Sequence, residues 1–131
     1  MSNDLSGQAA GSAGNGLGQP KQTTGAPLLP AVPVTSVHSV EADGVRIFYR
    51  RAGDAVAPVV LLLHGFPTSS FMFRDLIPRL ADHYCVIAPD LPGFGFTQVP
   101  EARKYTYSFD ALAGTLEALT NALGLTRYAI Y

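Results

Sequence analysis

The feature that most constrains the fold of this chain is a short apolar run that ends in a sharp turn. Val59 to Leu63 are apolar without a break, yet the run is too short for a helix of ordinary length, so it predicts a strand buried on both faces. The next residues, His64 to Pro67, include a glycine and a proline, with which a strand cannot easily continue. Because open α/β sheets bind ligands beyond the carboxyl ends of their parallel strands, this turn is a candidate site.

The first part of the chain has a different character. Residues 1–35 are dominated by Gly, Ala, Ser, Gln and Pro. Such a segment buries too little apolar surface to offset the entropy of ordering it, so we expect a flexible tail that becomes more extended towards its Pro-rich end. The folded part should then be residues 36–131.

Two strand patterns and one helix pattern surround the apolar run. Asp43-Gly44 lies between two short strand patterns and predicts an antiparallel hairpin at an edge of the sheet. After the turn, Thr68, Ser69 and Ser70 offer side-chain oxygens that can cap a helix. The buried stripe of that helix is predicted to be Phe73, Leu76, Ile77, Leu80 and Tyr84. Pro78 should restrict it to a short opening turn followed by a main helix, or kink it.

The same alternation of strand and helix continues to the last residue. Tyr84–Ala88 predicts a second buried strand, and a long loop rich in Gly and Pro follows it up to Lys104. Ser108 can cap a second helix, which Gly124 should end in a left-handed conformation. Its predicted buried stripe is Phe109, Leu112, Ala113, Leu116, Leu119, Thr120 and Leu123. With a further strand from Tyr128, this order predicts an α/β fold: a hairpin, then parallel strands with helices on both faces.

Charge and cysteine content exclude several classes of partner. Lys and Arg number 9 against 10 Asp and Glu, so no basic surface suggests nucleic acid or an anionic membrane. Cys85 is the single cysteine, which excludes an internal disulfide and a cysteine-cluster metal site. No segment approaches a membrane-spanning length of apolar residues, and the first residues lack the features of a secretory signal. We therefore expect a cytoplasmic protein.

Three familiar kinds of site find little support. Gly93-Phe94-Gly95 lacks the third glycine of a dinucleotide fingerprint, because Gln98 stands at that position. The three histidines have no partner at metal-ligand spacing, so neither a cofactor nor a metal is predicted.

A hydrolytic triad can be imagined from His64, Asp90 and Ser69 or Ser70. However, neither serine lies on the strand-to-helix elbow that presents such nucleophiles, and a capping role suits both better.

Two motifs nevertheless point to a family when they are taken together. They are His64-Gly65-Phe66-Pro67 and Pro89-Asp90-Leu91-Pro92-Gly93-Phe94-Gly95. In this order and at this separation they resemble the α/β-hydrolase superfamily, and most of all its epoxide hydrolase and haloalkane dehalogenase branch. The resemblance covers roughly residues 37–131. It implies the N-terminal part of an α/β-hydrolase sheet, left incomplete.

The resemblance also implies roles for particular residues. Phe66 would offer its backbone N–H to an oxyanion, with Gly65 allowing close approach and Pro67 fixing the turn through a cis bond. His64 would orient this loop by hydrogen bonds, with the catalytic base lying further along the chain. Asp90 would fix the second loop by accepting backbone N–H groups. Phe66, Phe94 and Phe96 would either line an apolar pocket or pack within their loops.

The nucleophile elbow, cap domain, triad acid and base of the family have no counterpart in this sequence. We therefore expect an N-terminal fragment that stops before the elbow and is inactive alone. In the full-length protein, the resemblance favours an aspartate that attacks a small apolar epoxide or haloalkane, giving an ester that water cleaves. The alternatives are a serine esterase or lipase, and a non-catalytic fragment that binds a partner along its open sheet edge.

Overall fold

The computed structural model describes residues 33–131 of the chain. The flexible tail predicted over residues 1–35 lies outside this range, apart from residues 33–35. The strands are β1 (Ser36–Ala42), β2 (Val45–Ala52), β3 (Val59–Leu61), β4 (Cys85–Pro89) and β5 (Tyr128–Ile130). The helices are α1 (Ile77–Leu80) and α2 (Phe109–Ala122), and two 3₁₀ turns span Ser70–Phe73 and Glu101–Arg103.

The strands form one mixed sheet in the order β1-β2-β4-β3-β5. β1 pairs with β2 and β2 with β4 in antiparallel fashion, whereas β3 runs parallel to both β4 and β5. The predicted hairpin is confirmed: Asp43 and Gly44 have φ values of 53° and 67°, the left-handed pair that a type I′ turn requires.

Helices cover both faces of the sheet, as predicted. On one face, Val86 and Ala88 of β4 pack with Ile77 of α1. On the other face, Ile47 of β2 packs with Leu119 of α2. Alternate residues of a strand point to opposite faces, so β2 and β4 contribute to both cores.

The strand predicted over residues 59–63 is shorter and less buried than expected. β3 ends at Leu61, and Val59 and Val60 are only half-buried. Its backbone pairing nevertheless continues, since the Leu62 N–H donates to the Ile87 carbonyl and the Leu63 N–H to the Tyr131 carbonyl, both at 2.9 Å. The apolar run therefore stays within the sheet up to the turn.

The first helical segment is broken as its proline predicted. The Ser69 hydroxyl caps the 3₁₀ turn by accepting the Phe71 N–H at 3.3 Å, and α1 is a single turn with Pro78 at its start. Tyr84 was wrongly assigned to the buried stripe: it is 39% exposed, because α1 ends before it and the chain turns there into β4.

The second helix begins and ends where the sequence predicts. The Ser108 hydroxyl accepts the Ala111 N–H at 3.2 Å, and Gly124, with φ of 66°, ends the helix as the Leu125 N–H donates to the Thr120 carbonyl. Two stripe positions were wrong: Phe109 and Ala113 are exposed. Thr115 is buried instead.

Thr115 is buried because it binds a charged group in the hairpin turn. Its hydroxyl donates to the Asp43 carboxylate at 2.9 Å, and Arg103 pairs with the same carboxylate at 2.9 Å. The hydrogen bonds from Thr115 and Arg103 hold the pKa of Asp43 below its ordinary value of 3.8.

This lowered pKa predicts a pH dependence of stability. The unfolded chain protonates Asp43 more readily than the folded chain, so the contribution of Asp43 is complete above its unfolded pKa and is lost as pH falls through the folded pKa. We expect the melting temperature of the wild type to exceed that of Asp43→Asn at neutral pH, and the difference to shrink below about pH 4. Thermal denaturation of both proteins across this range tests it, and a difference independent of pH would contradict it.

None of the helices described between residues 33 and 131 combines the length and apolar character needed to span a lipid bilayer.

Candidate active site

The turn after β3 presents a backbone donor at the surface. Within residues 33–131, the Phe66 N–H has no hydrogen-bond partner, and the Phe66 side chain is 85% exposed. The Phe66–Pro67 peptide bond is cis. Gly65 faces open space, since a side chain at this position would meet no atom within 4 Å. A group outside the described chain therefore has room to approach this N–H.

His64 connects the two sequence motifs. Its ring is 4% exposed, and Nε2 accepts the Leu91 N–H at 3.0 Å. Nδ1 lies 2.9 Å from the Gly65 carbonyl, a contact that a neutral ring protonated on Nδ1 makes as a donor. Both ring nitrogens are therefore engaged in hydrogen bonds that hold the two motifs together.

Replacing His64 should therefore destabilise the fold. His64→Ala leaves the Leu91 N–H without its acceptor and opens a cavity beside the Phe94 ring, whose centroid is 5.2 Å from that of His64. We expect a loss of about 2 kcal/mol in the free energy of unfolding, measured by urea denaturation. His83→Ala, at an exposed position, is the matched control and should change little. Equal losses in the two variants would contradict the linking role of His64.

Asp90 lies immediately after β4 and is 1% exposed. Its carboxylate accepts the Ser70 N–H at 2.7 Å through Oδ1 and the Phe96 N–H at 2.8 Å through Oδ2. The Thr97 hydroxyl donates to the Asp90 carbonyl at 2.6 Å. One residue thus holds the 3₁₀ turn that follows the first motif and the loop that follows the second.

The imagined triad is not assembled. No hydrogen bond joins His64 to Asp90 in the part of the chain that the structure describes. Ser69 caps the 3₁₀ turn, and the buried hydroxyl of Ser70 lies 3.2 Å from Arg50 Nε, which donates to it. Both serine hydroxyls accept structural hydrogen bonds, and among residues 33–131 neither is hydrogen-bonded to His64.

Thr97 is a residue that the sequence patterns did not reveal. Its hydroxyl donates to the Asp90 carbonyl and accepts the Phe48 N–H at 3.0 Å, so it joins the loop to β2. These partners are distant in sequence and follow no local spacing rule. The only available signal was the position of Thr97 at the end of the Gly- and Phe-rich run.

A cavity of about 750 Å³ opens beside the turn after β3. Its lining is mostly apolar and comprises His64, Gly65, Phe66, Leu91, Pro92, Gly93, Phe94, Tyr107, Ser108, Phe109 and Leu112. The Phe66 and Phe94 rings meet edge to face with centroids 6.1 Å apart. Phe96 is not part of the lining; it packs against Phe48, with centroids 5.2 Å apart. Of the two alternatives for these rings, Phe66 and Phe94 line the cavity, whereas Phe96 packs within its loop region.

No group of three or more His, Cys, Asp or Glu side chains is arranged to hold a metal ion among residues 33–131.

Parallel strands that lead into a His-Gly-Phe-Pro turn beside an apolar cavity define a class of α/β protein with its site at the strand ends. Residues 58–131 match the family model of the alpha/beta hydrolase fold. The chain therefore belongs to the α/β-hydrolase family.

The similar proteins include epoxide hydrolases and haloalkane dehalogenases, the branch that the two motifs indicated. Over 99 residues the chain is 50% identical to an uncharacterized hydrolase of Saccharomyces cerevisiae, covering 75% of this chain and 33% of that protein. It is 42% identical to Epoxide hydrolase A of Mycobacterium tuberculosis, covering 67% of this chain and 27% of the enzyme. A loop variant of the haloalkane dehalogenase DbeA from Bradyrhizobium elkanii superposes with a TM-score of 0.69 at 37% identity, over 74% of this chain and 31% of that structure. The chain thus spans about a third or less of the length of these relatives.

Proposed function

We propose that this chain supplies the oxyanion side of the active site in a hydrolase that opens epoxides or carbon–halogen bonds with an aspartate nucleophile. The observation that carries the proposal is the unbonded Phe66 N–H at the edge of an apolar cavity. In the proposed reaction, an aspartate carboxylate attacks the substrate carbon to form an ester, while the carbon–halogen bond breaks and releases halide or the epoxide C–O bond breaks and its oxygen takes up a proton. In the second step, water loses a proton and attacks the ester carbonyl carbon, so that the carbonyl oxygen becomes negatively charged; cleavage of the ester C–O bond then releases the alcohol and restores the carboxylate.

Phe66 acts in the second of these steps. Its N–H donates to the carbonyl oxygen as negative charge develops there, and one preorganised donor of this kind contributes about 3 kcal/mol to catalysis. Gly65 gives the reacting group room to approach, and Pro67 fixes the direction of the turn. His64 and Asp90 hold the two loops together by hydrogen bonds to their backbone N–H groups, and neither residue contacts the reacting atoms.

The lining of the cavity supports a small apolar substrate. Leu91, Pro92, Phe94 and Leu112 provide apolar surface, and a concave apolar site with few polar groups is typical for small molecules. The relatives named for epoxides and haloalkanes support the same chemical class. A cytoplasmic location, expected from the sequence, stays part of this proposal.

The proposal assigns the structural residues of the active site to this chain and the catalytic triad to other residues. His64, Asp90, Ser69 and Ser70 are all engaged in structural hydrogen bonds, so residues 36–131 are proposed to form the N-terminal part of the catalytic domain. The nucleophile, acid and base are assigned to residues beyond this sequence. The chain by itself should bind substrate without converting it.

The test separates binding from turnover. We expect 1-bromohexane to shift the NMR resonances of Phe66, Phe94 and Leu112 in the purified 131-residue chain, with no release of bromide. Styrene oxide and p-nitrophenyl butyrate should likewise remain unconverted. Ester cleavage by this chain that is lost in Ser69→Ala or Ser70→Ala would overturn the proposal and favour a serine hydrolase.

The nucleophile type has its own test in any longer form of the protein that turns over substrate. During repeated turnover in ¹⁸O-labelled water, an aspartate nucleophile incorporates ¹⁸O into its own carboxylate, because water attacks the ester carbonyl carbon. Mass spectrometry of the protein detects this label. A serine nucleophile leaves the protein unlabelled, and that result would favour the esterase alternative.

A further inference from the structure

We propose that the turn between β1 and β2 positions one wall of the substrate cavity through a cluster of Asp43, Arg103, Tyr105 and Thr115. We call these four residues the hairpin clamp. The proposal rests on the proposed function only in treating the cavity as the substrate site. It assigns positioning roles to residues that contact neither the His64–Pro67 turn nor the proposed reacting atoms.

Asp43 is the centre of the hairpin clamp. Its two carboxylate oxygens each lie 2.9 Å from Arg103 Nη2, and Arg103 Nε donates to the Asp43 carbonyl at 2.8 Å. The Thr115 hydroxyl approaches the same carboxylate from α2 at 2.9 Å. Arg103 thus binds both the side chain and the backbone of Asp43. These bonds fix Arg103 and its part of the loop relative to β1, β2 and α2.

Tyr105 carries this connection towards the cavity. The Arg103 guanidinium lies over the Tyr105 ring, 5.2 Å from its centroid. The Tyr105 hydroxyl forms a 2.8 Å hydrogen bond with the Thr115 hydroxyl. The Tyr105 and Tyr107 rings then meet edge to face with centroids 5.1 Å apart. Asp43 is thereby linked by contiguous contacts to Tyr107, which lines the cavity.

Tyr107, which is 63% exposed, contacts Gly93 as well as Tyr105. A Cβ built on Gly93 would lie 2.9 Å from Tyr107 Cε1, so the ring occupies the space where any other residue would place its side chain. Gly93 also has φ of 89°, which disfavours any other residue. The Tyr107 ring is therefore positioned by contacts with Gly93 and with Tyr105 of the hairpin clamp.

The part of the loop between Gln98 and α2 has few other restraints. Residues 91–98 are held by the Asp90 carboxylate, the Thr97 hydroxyl and the pairing of Gln98 with Arg46, whereas residues 99–107 contain one 3₁₀ turn, at Glu101–Arg103. Loops with little backbone pairing open at low free-energy cost unless side chains hold them. The hairpin clamp supplies such contacts at the point where the loop turns into α2.

Amide hydrogen exchange of the full chain tests the proposal without any substrate. The Lys104 and Ser108 N–H groups report on the loop, because they donate to the Glu101 and Thr106 carbonyls, and the Leu62 N–H reports on the sheet. In Asp43→Asn we expect protection of Lys104 and Ser108 to fall by about tenfold more than protection of Leu62. Asp82→Asn, at an exposed position, is the matched control and should leave the ratio unchanged.

A second variant covers the case in which Asp43→Asn does not fold. Thr115→Val keeps the volume of the side chain, removes the hydroxyl that bonds Asp43 and Tyr105, and should loosen the same two amides. If protection from exchange falls by the same factor at Lys104, Ser108 and Leu62 in both variants, the proposal is overturned. If the variants also bind 1-bromohexane more weakly at temperatures well below their melting temperatures, the hairpin clamp positions the cavity wall as well as the loop. Because exchange needs no ligand, failure of the proposed hydrolysis is distinguishable from failure of the clamp.

Discussion

Gly95→Ala is expected to destabilise the chain by about 4 kcal/mol, the largest effect of any single substitution considered. Gly95 has φ of 54°, a left-handed conformation that costs an alanine about 1–2 kcal/mol. In addition, an added Cβ would collide with the Asp90 carboxylate, which must then release the Phe96 N–H. Loss of a buried hydrogen bond to a charged group costs about 1.5–3 kcal/mol more. Urea denaturation measures the sum.

Gly114→Ala is the matched control for Gly95→Ala. Gly114 lies inside α2, and a Cβ there would meet no atom within 4 Å. Alanine stabilises a helix interior by about 0.5–1 kcal/mol relative to glycine. The two substitutions are chemically identical and should have opposite signs. A loss below about 1 kcal/mol in Gly95→Ala would contradict the close packing of this glycine against Asp90.

Asp90→Asn is expected to cost about 3 kcal/mol in the free energy of unfolding. The buried carboxylate accepts the N–H groups of Ser70 and Phe96 through separate oxygens. An asparagine has a single carbonyl oxygen, so its NH₂ group would face one of these donors. One backbone N–H loses its partner inside the protein, and the other exchanges a carboxylate for a weaker amide acceptor.

Asp82→Asn provides the control, because Asp82 is exposed and should tolerate the change within about 0.5 kcal/mol. The effect of Asp90→Asn should also be local at first, with faster hydrogen exchange at the Phe96 and Ser70 amides than in β4. A variant as stable as the control would show that Asp90 does not hold the two loops.

The sequence predicted most of the fold because its local signals agree with one another. Asp43-Gly44 marks a turn that only a left-handed pair can make, Ser108 and Gly124 mark the ends of α2, and Pro78 breaks the first helix. These signals act over a few residues, so one sequence is sufficient to find them. The same holds for the family, whose two motifs occur in the right order.

What the sequence did not reveal depends on contacts between distant residues. Phe109 fits the apolar stripe of α2 by its spacing, but it is 91% exposed and lines the cavity instead. Thr115 is buried because Asp43 reaches it from the β1–β2 turn, and Thr97 joins β2 to the second loop. Helical periodicity describes one element at a time and contains no information on where that element crosses its neighbours.

The central claim is that the turn after β3 offers the Phe66 N–H to an anion, and an NMR titration tests it most directly. Bromide, standing in for the oxyanion, is added to the ¹⁵N-labelled chain at constant ionic strength. The Phe66 amide resonance should move progressively, whereas the Leu91 amide, which already donates to His64, should stay in place. A Phe66 resonance that shifts no more than that of Leu91 would contradict the claim.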